Sequence, residues 1–152
     1  MLSDPQTVLV AFDVGVGGCF TAELGGKSGQ AGQTPLLCFC EVIGLFDGNF
    51  VATGPMYKGA NMTLGPCALL EIGGILVALS SIPVQTADQA IFRHFGVDPA
   101  SKAIVGLKSS VHFRNDFTDL SSSILVVTSP GAVLADPVLL NYQNKRPEIQ
   151  YR

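Results

Sequence analysis

The densest run of reactive side chains is Lys108-Ser109-Ser110-Val111-His112-Phe113-Arg114, with two cations, two hydroxyls and one of the chain's two histidines. Two cations at this spacing suit a carboxylate or another small anion, and the planar fork of Arg114 matches a carboxylate best. His112 could polarise a carbonyl or help to hold a carboxylate. Ser109 and Ser110 offer hydroxyls as a helix cap or as ligand donors. No G-x-S-x-G turn surrounds either serine, so a nucleophilic role is disfavoured.

Neighbouring elements must position this stretch. It follows the apolar run Ala103-Ile104-Val105-Gly106-Leu107, which reads as a buried strand. It leads into Val111 to Leu120, where Val111, Phe113, Phe117 and Leu120 mark a short helix. A strand-to-helix junction presents unpaired backbone N–H groups and the positive end of the helix dipole, which would reinforce an anion site. The expectation is a substrate- or anion-binding set of Lys108, Ser109, Ser110, His112 and Arg114, with no catalytic set in this chain.

Other candidates are weaker. A catalytic zinc site needs three His or carboxylate ligands, whereas this chain has only His94 and His112 and no H-E-x-x-H. No metal site is expected within it. His94, between Arg93 and Phe95, reads as a surface histidine, and Lys27 and Lys58 read as solvated turn lysines. Lys108 could alternatively pair with Asp116 or Asp119. Cys19, Cys38, Cys40 and Cys67 lack C-x-x-C spacing and read as reduced core thiols.

Upstream, Asp4-Pro5 opens a helix to Val14 that should bury Val8, Leu9, Ala11 and Phe12. A strand at Cys19 to Leu24 and a surface loop at Ser28 to Pro35 follow. Two hairpins are predicted: Leu37–Phe46 with Asn49–Thr53 around Asp47-Gly48, and Ala68–Ile72 with Ile75–Ser80 around Gly73-Gly74. Between them Gly54 to Met62 forms a glycine-punctuated loop of the kind that shapes sites. A short helix follows Asp88, a turn covers Asp98 to Lys102, and a last strand spans Ser123 to Thr128. The tail from Ala132 should wrap the surface. These elements predict a single α+β domain over residues 1–152: a hairpin-rich mixed sheet, two or three short helices and a late βαβ-like unit.

Hydrophobic residues make up 47% of the chain and charged residues 14%, against roughly 25% charged in ordinary soluble domains. Such a chain should hide surface against a partner domain or a second copy, giving a homo-oligomer. A net charge of −3 without a basic stripe argues against nucleic acid. No apolar run approaches the ~18 residues of a membrane span, and no basic stretch precedes an apolar one as in a secretory signal. The expected compartment is the cytoplasm.

Gly25-Gly26-Lys27, Asp47-Gly48-Asn49-Phe50, Gly54-Pro55-Met56-Tyr57-Lys58-Gly59, Phe95-Gly96-Val97-Asp98-Pro99 and Lys108 to Arg114, in this order, resemble the C-terminal domain of the microcystinase C (MlrC) family of metallopeptidases. Pro130-Gly131 and Arg146-Pro147 fit as well. The resemblance implies a larger protein whose N-terminal domain carries zinc and hydrolyses linear peptides from cyanobacterial toxin breakdown, or related amides. It implies an accessory role here, contributing substrate-carboxylate or interface residues to a metal-bearing partner domain. The residues alone leave two alternatives open: a stand-alone module for a small carboxylate, anion or peptide, and a structural homo-oligomer.

Overall fold

Asp4 sets the first element. Its side chain accepts the Thr7 N–H at 3.2 Å and Pro5 takes the first helical position, so α1 spans Pro5–Val14 and ends at Gly15. In this computed structural model residues 1–27, 29, 32–129, 142–144, 146, 148 and 149 are described. Most of the predicted tail from Ala132 lies outside them, as do parts of the loop after Lys27.

α1 buries a narrow stripe. Asp4, Thr7, Val8 and Ala11 face the sheet at i, i+3, i+4 and i+7. Leu9 and Phe12, expected inside, fall off that stripe and are 66% and 44% exposed.

The main sheet is mixed, in the order β1 (Leu2–Ser3), β7 (Ile75–Ser80), β6 (Cys67–Ile72), β3 (Leu36–Phe46), β2 (Cys19–Leu24). β1 runs parallel to β7, and the other pairs are antiparallel. The second predicted hairpin forms as expected. Ile72 pairs with Ile75 across Gly73-Gly74, whose φ values of 55° and 88° are those of a tight turn with both central residues left-handed.

The first predicted hairpin does not form. β3 pairs with β2 and β6, while β4 (Asn49–Val51) pairs with β5 (Asn61–Thr63) in a separate two-stranded sheet. Asp47-Gly48 therefore carries the chain from one sheet to the other. Gly48, at φ 80°, lies so close to the Gly65 carbonyl that a Cβ would collide with it, and its own carbonyl accepts the Leu64 N–H at 2.8 Å. This backbone contact replaces the hairpin ladder.

One sheet face packs under α1 through Val8, Ala11, Ala22, Cys40, Val42, Leu70 and Leu79. On the other face Leu69 and Ala78 pack with Leu64, Ile91 and Phe95. Ile91 belongs to α2 (Ala90–His94), which follows Asp88 as predicted. That cover is partial: Leu37 and Phe39 on β3 are each 68% exposed. Of the cysteines, Cys40 and Cys67 are buried, Cys38 is half-buried and Cys19 is exposed, which corrects the expectation of four core thiols. Burial pushes the Cys67 thiol up to about 11, and it donates to the Gly65 carbonyl at 3.0 Å.

The mixed α+β architecture agrees with the sequence, but the late βαβ-like unit is absent. Neither Ala103–Leu107 nor Ser123–Thr128 belongs to a strand. Ile104 is 89% exposed and Leu125 is 87% exposed, so neither run finds a sheet edge within the described residues. A 3₁₀ turn at Pro99–Ser101 precedes them, and between them lie a single helical turn α3 (Arg114–Phe117) and a 3₁₀ turn at Thr118–Leu120.

Lys27 is not a solvated lysine. Its ammonium lies 2.9 Å from both Asp4 carboxylate oxygens and 3.0 Å from the Thr7 hydroxyl, while the Gly25 N–H donates to Asp4 at 3.2 Å. Burial alone would raise the Asp4 pKa, but Lys27 and the Thr7 and Gly25 N–H groups outweigh it and hold the carboxyl below its ordinary value. A depressed carboxyl stabilises the fold fully above its unfolded pKa, and that stabilisation is lost as pH falls through the folded value. Asp4→Ala should therefore cost about 2–4 kcal/mol at pH 7 in urea unfolding, with the difference from wild type shrinking below about pH 4.

Candidate functional site

The stretch from Lys108 to Arg114 has no strand beneath it and is positioned instead by a buried polar node. Asp88, 2% exposed, accepts the Gly54 N–H and the Ala90 N–H, each at 2.8 Å, and the Thr53 hydroxyl at 3.4 Å. Next in sequence, the Gln89 N–H donates to Asp116 Oδ2 at 2.6 Å, and the Gln89 side-chain amide donates to the Asp116 carbonyl. Gln89 Oε1 accepts from Arg93 at 2.8 Å. Gly54 sits between the two carboxylates, where a Cβ would lie 2.9 Å from Asp116 Oδ2 and 3.1 Å from the Asp88 carboxyl carbon.

Apolar contact completes the attachment. Phe117 is buried and meets Phe92 edge-to-face with ring centres 6.0 Å apart. The segment that carries the candidate residues is thus docked on α2 from its C-terminal side.

From its N-terminal side it is held by Gln85. The side-chain oxygen of Gln85 lies 2.6 Å from His112 Nδ1, and its amide nitrogen donates to the Ser109 hydroxyl at 3.4 Å. The structure therefore joins Ser109 and His112 through one amide. Lys108, Ser110, His112 and Arg114 are exposed, and Ser109 is half-buried. The Arg114 guanidinium lies 5.2 Å from the centre of the Phe113 ring. Lys108 makes no ion pair with Asp116 or Asp119. α3 is one turn long and has no side-chain cap, so neither serine caps it and no helix dipole of useful length stands behind the cluster.

His94 is not a surface histidine. Its ring is surrounded by Phe46, Phe50 and Phe95 at 5.5, 5.9 and 5.7 Å, with Nε2 4.0 Å from Asp47. It is a packing residue far less accessible than His112. Among the described residues no three His, Cys, Asp or Glu side chains converge to hold a metal ion. One surface depression lies beside Thr7 and Lys27 and a largely apolar one beside Leu36 and Ile75, and neither of these two is lined by Lys108 to Arg114.

Sequence reasoning missed Gln85, Gln89, Asp88 and Asp116 as positioning residues. The only advance signals were the glycine-punctuated loop containing Gly54 and the helix-start aspartate, because a lone glutamine in a loop has no pattern to betray it.

A family model described as the MlrC C-terminus matches residues 1–144. The chain belongs to this family. It is 32% identical over 126 residues to microcystinase C from a Sphingomonas species, a match that takes in 83% of this chain and 24% of that protein. The fold also matches the crystal structure of a candidate metallopeptidase from Mesorhizobium sp. BNC1, with a TM-score of 0.84 at 24% identity, covering 99% of this chain and 31% of that one. The chain thus spans about a quarter to a third of the length of these relatives.

If Asp116 is the anchor, Asp116→Ala should leave the Gln89 N–H unpaired and cost about 1–3 kcal/mol. Amide hydrogen exchange should rise selectively at 108–117, with β2 and β3 unchanged.

Proposed function

We propose that this MlrC C-terminal chain is a non-catalytic accessory domain that presents Lys108, Ser109, Ser110, His112 and Arg114 to a metal-bearing partner domain, where the cluster engages a peptide or amide substrate and its cations bind the substrate carboxylate. The observation that carries the reading is an exposed cationic cluster, without an ion pair among the described residues, whose Ser109 and His112 side chains are held by Gln85 and whose following turn is held through Asp116. Fixed geometry in an open surface suits a half-site that a second surface completes.

The flanking sequence supports an interface. Ile104 on one side and Leu125 to Val127 on the other expose apolar side chains that a monomer in water would bury. Microcystinase C and the Mesorhizobium protein are each several-fold longer than this chain, which leaves room in such relatives for a metal-bearing domain. Peptide hydrolysis would belong to that domain, and zinc with it. Among the described residues no helix is long and apolar enough to cross a membrane. Four unpaired cysteines suit the reducing cytoplasm.

Self-association is a second reading, favoured by Leu37 and Phe39 on the open sheet face. Without a partner the chain should form concentration-dependent oligomers in light scattering and bind a hydrophobic dye; a sharp monomer with no dye binding would sink the interface reading. For the anion site, the double variant Lys108→Ala/Arg114→Ala should weaken carboxylate binding in calorimetry at least tenfold, since each charge-assisted bond contributes about 1.5–3 kcal/mol. Unchanged affinity in a folded double variant would remove the site.

A further inference from the structure

We propose that Gln85 holds neutral His112 in the tautomer protonated at Nδ1, leaving Nε2 as a hydrogen-bond acceptor for the amide N–H of a peptide-like ligand. The inference rests on the carboxylate-binding reading above and specifies which group of the ligand each residue takes.

The oxygen of the Gln85 side chain lies 2.6 Å from His112 Nδ1, and its nitrogen donates to the Ser109 hydroxyl at 3.4 Å. An amide oxygen only accepts, so in this orientation Nδ1 donates. In a neutral imidazole the second nitrogen is then an acceptor. Nε2 has no partner among the described residues, and His112 is exposed. A side chain whose inner nitrogen is tied and whose outer nitrogen is free is set to receive a donor from outside.

This divides the work of the cluster. A neutral His112 of this tautomer cannot donate to a carboxylate through Nε2, nor polarise a carbonyl there. The carboxylate falls to Lys108 and Arg114, which are donors only. The terminal residue of a peptide carries both required groups, a carboxylate and an amide N–H attached to one carbon. A ligand that carries both groups is an N-acylated amino acid or a peptide C-terminus.

The test uses long-range proton–nitrogen NMR of the His112 ring, followed by titration with two matched probes. N-acetylglycine has a carboxylate and an amide N–H; N-acetylsarcosine has the carboxylate alone. The expected result is Nδ1 protonation in the wild type, its loss in Gln85→Leu and its return in Gln85→Glu. N-acetylglycine should bind about fivefold tighter than N-acetylsarcosine, and His112→Ala should erase that difference. Protonation mainly at Nε2 in the wild type overturns the proposal. Equal affinity for the two probes overturns the acceptor role while the carboxylate reading stands, and failure of both probes to bind overturns both.

Discussion

A buried carboxylate with no cation beside it among the described residues has to collect N–H donors, and Asp88 organises the half of this protein that carries Lys108 to Arg114 by doing so. Its oxygens take the Gly54 and Ala90 N–H groups, which ties the loop after β4 to the start of α2. Leaving such groups unpaired in the interior costs about 1–3 kcal/mol each, so loop and helix cannot easily part. Gln89 and Asp116 extend the same logic by one step and bring the turn that carries His112 onto α2. The absence of a side chain at Gly54 is what allows Asp88 and Asp116 to approach the same piece of backbone.

The rest of the molecule is a sheet covered unevenly. α1 closes one face with a stripe only three or four residues wide, locked at its start by the Asp4–Lys27 pair. α2 and Leu64 close part of the other, and the remainder displays Leu37 and Phe39. Glu41 and Glu71 stand directly opposite each other across β3 and β6 near this open area, where like charges are unfavourable without a neutralising neighbour. The low charge content of the chain thus appears on the surface as unpaired apolar area more than as an enlarged core.

Local chemistry was legible wherever one signal acted alone. Asp4-Pro5 and Gly15 bound a helix because a cap, a fixed φ and a left-handed stop need no tertiary help. Gly73-Gly74 joins two strands because two left-handed residues match the twist of a hairpin. Asp47-Gly48 carried a similar signal and misled, since Gly48 serves a backbone contact with Gly65. Ala103–Leu107 and Ser123–Thr128 have strand composition but no partner edge among the described residues, and composition cannot supply an edge. His94 and Lys27 looked solvated because their partners, an aromatic nest and a distant aspartate, lie far off in sequence or in another element.

By itself the sequence determined the α+β class, the family, the helix and hairpin termini and the concentration of cations, hydroxyls and histidine between Lys108 and Arg114. These depend on residue type and short spacing, which a linear text carries in full. Tertiary structure alone decided that Gln85 joins Ser109 to His112, that Asp88 and Asp116 meet across Gly54, and that Lys108 and Arg114 stand exposed. Those outcomes depend on contacts between residues some thirty positions apart in the chain, such as Gly54 with Asp88 and Gln85 with His112. Their geometry exists only once the sheet, α2 and the loop after β4 have closed around the same buried carboxylate.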